Sequence, residues 1–150
     1  MTRARELAVA YPSLPADAPA AEVARLLAEE PVDAVFVEHH GQLQGLVSDL
    51  GLLTRLLPGY LLQDPALAQV LEEGAAELLW QRLEGHTAAE LLPTKRAEVA
   101  QVDDDATLIE VAAAMTRANA PLVAVRDRNG RLLGGITTSQ LLTRLLGTPQ

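Results

Sequence analysis

The stretch "PLVAVRDRNGRLLGGITTSQLLTRLL" (Pro121–Leu146) decides how this chain is read. Two apolar runs flank Asn129-Gly130, and both of those residues tolerate positive φ, so a hairpin with a type I′ turn is expected. The hydroxyl pair Thr137-Thr138 follows, and a Leu-rich stretch closes the segment. The same grammar occurs earlier in "DAVFVEHHGQLQGLVSDLGLLTRLL" (Asp33–Leu57), where His40-Gly41 takes the place of the turn. The string "LLTRLL" ends both segments, at Leu52–Leu57 and Leu141–Leu146. An identical hexamer recurring in a chain of 150 residues signals a duplicated unit.

Extending outward, Ala18–Leu57 aligns with Ala106–Leu146 through one gap, at Asn129. Glu22/Glu110, Val23/Val111, Val35/Val123, Val37/Val125, Gly41/Gly130 and Gly45/Gly134 then match. Leu108, Val111, Ala112 and Met115 follow the i, i+3, i+4, i+7 spacing of one helix face, and Ala20, Val23, Ala24 and Leu27 repeat it. Thr107 and Glu110 form a capping-box pattern at the start of the second of these helices. The first has Pro19, suited to an opening turn. Short extended pieces precede each unit, around Tyr11–Leu14 and Val99–Val102. The order is β-α-β-β-α, twice: a mixed α/β (α+β) fold of two pseudo-twofold related units. A unit of roughly 60 residues buries only about 60% of its unfolded surface. Two copies packed together, with related clefts between them, are therefore expected.

The domains expected are a first unit over 1–60, a helical insertion over 61–85 and a second unit over 86–150. Within the insertion, "QDPALAQVLEEGAAELLWQRLEG" (Gln63–Gly85) opens on Asp64-Pro65, an N-cap followed by a proline in the first turn, and ends on glycine. Its apolar stripe either packs on its own domain or makes a dimer contact that includes Trp80; the sequence leaves both open.

The net charge of −8 disfavours nucleic acid and anionic lipid as partners, because phosphate binding needs clustered cations. The absence of Cys removes disulfides, thiolate metal sites and Cys nucleophiles. No stretch approaches the ~20 apolar residues of a membrane span, and the N-terminus lacks a signal-peptide pattern. A cytoplasmic protein without membrane insertion is the expectation. His39 and His40 are adjacent on a strand and point to opposite faces, so no metal site is expected. Asp103–Asp105 reads as a loop favoured by the following helix dipole. No nucleophile elbow, HExxH or P-loop is present, so stand-alone catalysis is not expected.

Two such units, each with a "GRLLG"-type hairpin, a hydroxyl residue and a Leu-rich helix, resemble a tandem pair of CBS domains, a Bateman-type regulatory module. The resemblance covers nearly all of the chain outside Gln63–Gly85. It implies a module that senses AMP, ADP, ATP or S-adenosylmethionine in a cleft between the units, requires no cofactor, forms a homodimer and regulates a separate enzyme or transporter. The alternative it leaves is a ligand-free dimerisation or interaction module.

The family's ligand pattern is G-h-h-[TS]-x-x-D, in which h is apolar, the hydroxyl contacts phosphate and the Asp holds the ribose. Against it, "GLVSDLG" supplies Ser48 but has Gly51 at the Asp position; "GGITTSQ" supplies Thr137 but has Gln140 there. The ligand residues implied are Thr137, Thr138 and Gln140 in the second copy, and Ser48 and Asp49 in the first. Lys95 and Arg96, in the loop before the second unit, are cations within implied reach of phosphate. Apart from Gln140, each of these also has a simpler reading: the hydroxyls as helix caps, Asp49 as a charge favoured by the helix dipole, and the two cations as a solvated loop.

Overall fold

The computed structural model describes residues 2–57, 59, 63, 64, 66, 75–93 and 99–147. The first copy contains β1 (Ser13–Pro15), α2 (Ala20–Glu29), β2 (Ala34–His39), β3 (Gln42–Ser48) and α3 (Asp49–Leu56). The second contains β4 (Gln101–Asp103), α5 (Leu108–Ala118), β5 (Leu122–Arg126), β6 (Leu132–Thr137) and α6 (Thr138–Leu146). Each copy makes one three-stranded sheet, ordered β1-β2-β3 and β4-β5-β6. In the second, β4 runs parallel to β5 and β5 antiparallel to β6. The expected β-α-β-β-α order is present twice.

The two cores match position by position. Ala18, Val23, Val35, Val37, Val47 and Leu52 pack together in the first, and Ala106, Val111, Val123, Val125, Ile136 and Leu141 in the second. The central strands β2 and β5 each begin with four buried residues, so they are apolar on both faces rather than alternating. The doubled hexamer is now accounted for in part. Its first leucine (Leu52, Leu141) enters the core, while its second (Leu53, Leu142) is about half exposed at 49% in both copies.

Each core is closed by a short helical leader that the sequence reading did not recognise. Helix α1 (Ala4–Leu7) buries Ala4 among Val102, Val111 and Ile136 of the second copy. The 3₁₀ helix η1 (Ala88–Leu91) buries Ala88 and Leu91 among Val23, Val35 and Leu52 of the first. The docking bonds are equivalent: Ala4 N donates to Ala106 O and Arg5 N to Asp104 O; Ala88 N donates to Ala18 O and Ala89 N to Ala16 O. The leader of each copy therefore completes the core of the other. The compact units cut across the copies accordingly: one comprises 1–11, 38–45 and 95–150, the other 12–37 and 46–94.

Of the helix expected over Gln63–Gly85, α4 (Ala75–Leu83) is present, while 67–74 lie outside the described residues. Leu83 is buried in the first core and Leu79 packs beside it; Trp80 stays 45% exposed. The helix thus packs on its own domain, with its tryptophan outward.

The hairpin turns differ. His40 (φ 52°) and Gly41 (φ 79°) are both left-handed, as a type I′ turn requires. Asn129 is not among the positive-φ residues; only Gly130 is, at 80°. The expected type I′ turn there is replaced by a three-residue loop. Gly130 N donates to Asp127 O and Asp127 N to Arg131 O. The Asp127 carboxylate accepts from Asn129 N at 2.8 Å and Arg131 N at 3.0 Å. This is a type I turn ending in a left-handed glycine, and it absorbs the one-residue gap in the alignment.

Candidate functional site

The residues singled out in the second copy meet at the start of α6. Strand β6 delivers an extended backbone to Thr137 (φ −88°, ψ 161°), which is the N-cap. The Thr137 hydroxyl accepts from Gln140 N at 3.2 Å, and the Gln140 side-chain oxygen accepts from Thr137 N at 2.8 Å. The hydroxyl also donates to that oxygen at 3.1 Å. This reciprocal capping box satisfies two backbone donors and turns the Gln140 carbonyl inward. Both side chains are half-buried. Thr138, exposed, donates from N and from Oγ1 to Pro121 O at 3.1 and 3.2 Å, tying the helix start to the head of β5.

The first copy repeats the frame with fewer side chains. Ser48 caps α3 by accepting from Gly51 N at 2.9 Å. Asp49 N donates to Asp33 O at 2.9 Å, as Thr138 N does to Pro121 O. The Asp49 carboxylate accepts from Leu50 N at 2.7 Å. At Gly51, the position equivalent to Gln140, an added Cβ would sit 3.0 Å from Ser48 Oγ, and no side chain is there to return a bond to the Ser48 backbone. The first site consequently offers a carboxylate and one hydroxyl; the second offers neutral donors and acceptors. Lys95 and Arg96 lie outside the described residues.

The expectation that His39 and His40 face opposite ways on a strand is not met: β2 ends at His39, His40 lies in the left-handed turn, and the two ring centroids sit 4.1 Å apart. Several other polar features have structural partners. Asp103 pairs with Arg126 Nε at 3.0 Å, the Asp105 carbonyl accepts from Arg3 Nη1 at 3.0 Å, and the Asp104 carbonyl accepts from the leader. The tri-aspartate loop is thus the seat of α1. His86 contacts Glu90 across one turn, and that hydrogen bond is the main cause holding the Glu90 carboxyl below its ordinary value. Arg55, in the first hexamer, donates to the Glu90 carbonyl and so ties α3 to η1. Among the described residues no group of three or more His, Asp or Glu is arranged to hold a metal ion, and no helix is long and apolar enough to cross a membrane.

The feature missed by sequence reasoning, the leader, had a signal: Ala4-Arg5-Glu6-Leu7 and Ala88-Ala89-Glu90-Leu91 share the pattern A-x-E-L. It is short and lacks a periodic stripe, so it did not register as part of the duplicated unit.

Comparison with known proteins agrees with this architecture. A family model described as "CBS domain" matches residues 4–58 and 88–147, so both leaders fall within the matched segments. The chain is similar to a solved CBS domain-containing protein of unknown function from Kribbella flavida: 33% identity, 98% of this chain and 100% of that one covered, TM-score 0.88. It is also similar to a CBS domain-containing protein from Bacillus anthracis, at 14% identity with 99% and 96% covered and a TM-score of 0.74. A third is the CBS domain of a CBS domain-containing membrane protein from Sphaerobacter thermophilus, at 18% identity with 95% and 87% covered and a TM-score of 0.73. The last two speak to fold alone. No curated protein sequence matches the chain.

Proposed function

We infer function from one premise: the chain belongs to the CBS domain family. We propose that this CBS pair is a non-catalytic regulatory module that binds an adenosine-containing ligand, such as AMP, ADP, ATP or S-adenosylmethionine, at the second-copy helix start. It passes the signal through a cytoplasmic homodimer to a separate enzyme or transporter. The observation that carries this reading is the grouping of Thr137, Thr138 and Gln140 at the N-terminus of α6. Helix N-terminal N–H groups attract phosphate, and the neutral side chains there do not repel it. Asp49 at the equivalent first-copy position would repel an anion, which leaves the second copy as the ligand site. Lys95 and Arg96 are assigned to the phosphates in this proposal.

Calorimetric titration with AMP, ATP and S-adenosylmethionine tests it. Wild-type protein binds one of the three, and Gln140→Asp tightens the complex roughly 10-fold by restoring a charged acceptor. No heat at millimolar ligand from either protein refutes the reading. A second reading, a ligand-free dimerisation module, is favoured by one observation: Ser48, Thr137 and Gln140 are each already engaged in caps. In that case sedimentation gives a dimer whose stability is indifferent to nucleotide.

A further inference from the structure

The Asn129-Gly130 dipeptide is used by the fold only as a turn, and its chemistry is not exhausted by that. Asn129 is exposed at the tip of the β5–β6 hairpin, and Gly130 places no side chain over the bond between them. The tip is not a free end. Gln42, on the β2–β3 hairpin, forms an antiparallel bridge with Arg131, and its side-chain amide donates to Asn129 O at 3.4 Å. A Cβ on Gly130 would lie 3.2 Å from the Gln42 side chain, so the two tips are in close contact.

We propose that Asn129 is a site of spontaneous deamidation that, once converted, breaks this contact between the hairpin tips. In the first step the backbone nitrogen of Gly130 gives up its proton and attacks Asn129 Cγ. A C–N bond forms, the Cγ–Nδ2 bond breaks, and ammonia leaves with the proton. In the second, water opens the resulting five-membered imide at either carbonyl and yields aspartate or isoaspartate. No oxidation or reduction is involved. The side-chain-less glycine is what lets the nitrogen reach Cγ.

Two features set the rate and the outcome. Gly130 N–H is held by Asp127 O at 3.0 Å, and Asn129 N–H by the Asp127 carboxylate at 2.8 Å. The bond that holds Gly130 N–H must open before attack, and the bond to Asn129 N stiffens the loop around it, so the folded hairpin reacts more slowly than the same sequence in an unfolded chain. The isoaspartate product adds a methylene to the backbone of a loop whose register is set by Asp127 and Arg131. It also adds a negative charge two residues from Asp127, whose carboxylate already holds Asn129 N. Lengthening the loop displaces Arg131 from Gln42.

The test is incubation of the full chain in mildly alkaline buffer, folded and in denaturant, followed by peptide mass analysis and isoaspartate detection. The chain has a second asparagine, Asn119, followed by Ala120, which serves as an internal control. The folded protein is expected to accumulate isoaspartate at 129 and not at 119, several-fold more slowly than the denatured chain. The converted fraction is expected to lose the hydrogen bond from the Gln42 side-chain amide to residue 129, read as a shift of the Gln42 side-chain NH2 resonances toward their values in the denatured chain. Asn129→Gln abolishes the product and leaves those resonances in place. Two results overturn the proposal: a folded protein that stays unmodified at 129 while the denatured chain converts, or converted protein whose Gln42 side-chain resonances are unchanged.

Discussion

Replacing Gly134 by alanine tests the exchange of leaders at its tightest point. Val9 and Gly135 form an isolated antiparallel bridge with two hydrogen bonds of 2.9 Å, which attaches the end of the N-terminal leader to β6. A Cβ on Gly134 would overlap the Val9 carbonyl oxygen, a backbone atom that no rotamer change can move aside. Gly134 does not have a positive φ, so alanine is otherwise acceptable there and reduces unfolded-state entropy by about 0.4–1 kcal/mol. Against that stands the loss of two hydrogen bonds at about 0.5–1.5 kcal/mol each. Val9 is 45% exposed, so its freed groups rehydrate and the lower part of that range applies. The net expectation is destabilisation of about 0.5–1 kcal/mol. Urea unfolding followed by circular dichroism measures it, and hydrogen exchange localises it. Val9 and Gly135 amides should lose protection, whereas Ala4 and Arg5, bonded to Ala106 O and Asp104 O, should keep theirs. An unchanged midpoint with Val9 and Gly135 still protected would refute the close approach and the reasoning built on it.

Thr137→Ala removes the α6 cap and leaves the Gln140 N–H unpaired, while the bond from residue 137 N to the Gln140 side-chain oxygen survives; about 1 kcal/mol of stability is expected to be lost, with Thr137→Ser retaining most of it, as read from urea midpoints. Glu90 bears on pH dependence. Its carboxyl is held below the ordinary value of 4.5, chiefly by the hydrogen bond from His86. A depressed folded-state pKa contributes stability that is fully present above 4.5 and is lost as pH falls through the folded value. Thermal midpoints measured from neutral pH downward should therefore fall less steeply below that point in Glu90→Gln than in wild type; identical acid limbs would show that the pair contributes nothing.

The duplicated hexamer, the valine pairs Val23/Val111 and Val35/Val123, and the paired caps Ser48 and Thr137 were all legible in the sequence. Each depends on spacing within a few residues: helix faces repeat every three or four positions, and an N-cap bonds to the amide three residues on. The candidate site was legible to the same degree, because Thr137 and Gln140 are three residues apart. Their reciprocal bonding was not, since it depends on which way an amide side chain turns.

What only the tertiary structure decided is of longer range. The pattern A-x-E-L at Ala4 and Ala88 says nothing about where those alanines dock. Their burial in the opposite copy's core depends on which sheet edge and which turn carbonyls, Ala106 O or Ala18 O, lie open to receive them. The turn at Asn129 likewise departed from its dipeptide signal because Asp127, two residues earlier, holds both Asn129 N and Arg131 N. Local periodicity determines the elements of this chain; the matching of distant backbone donors and acceptors determines how one copy completes the other.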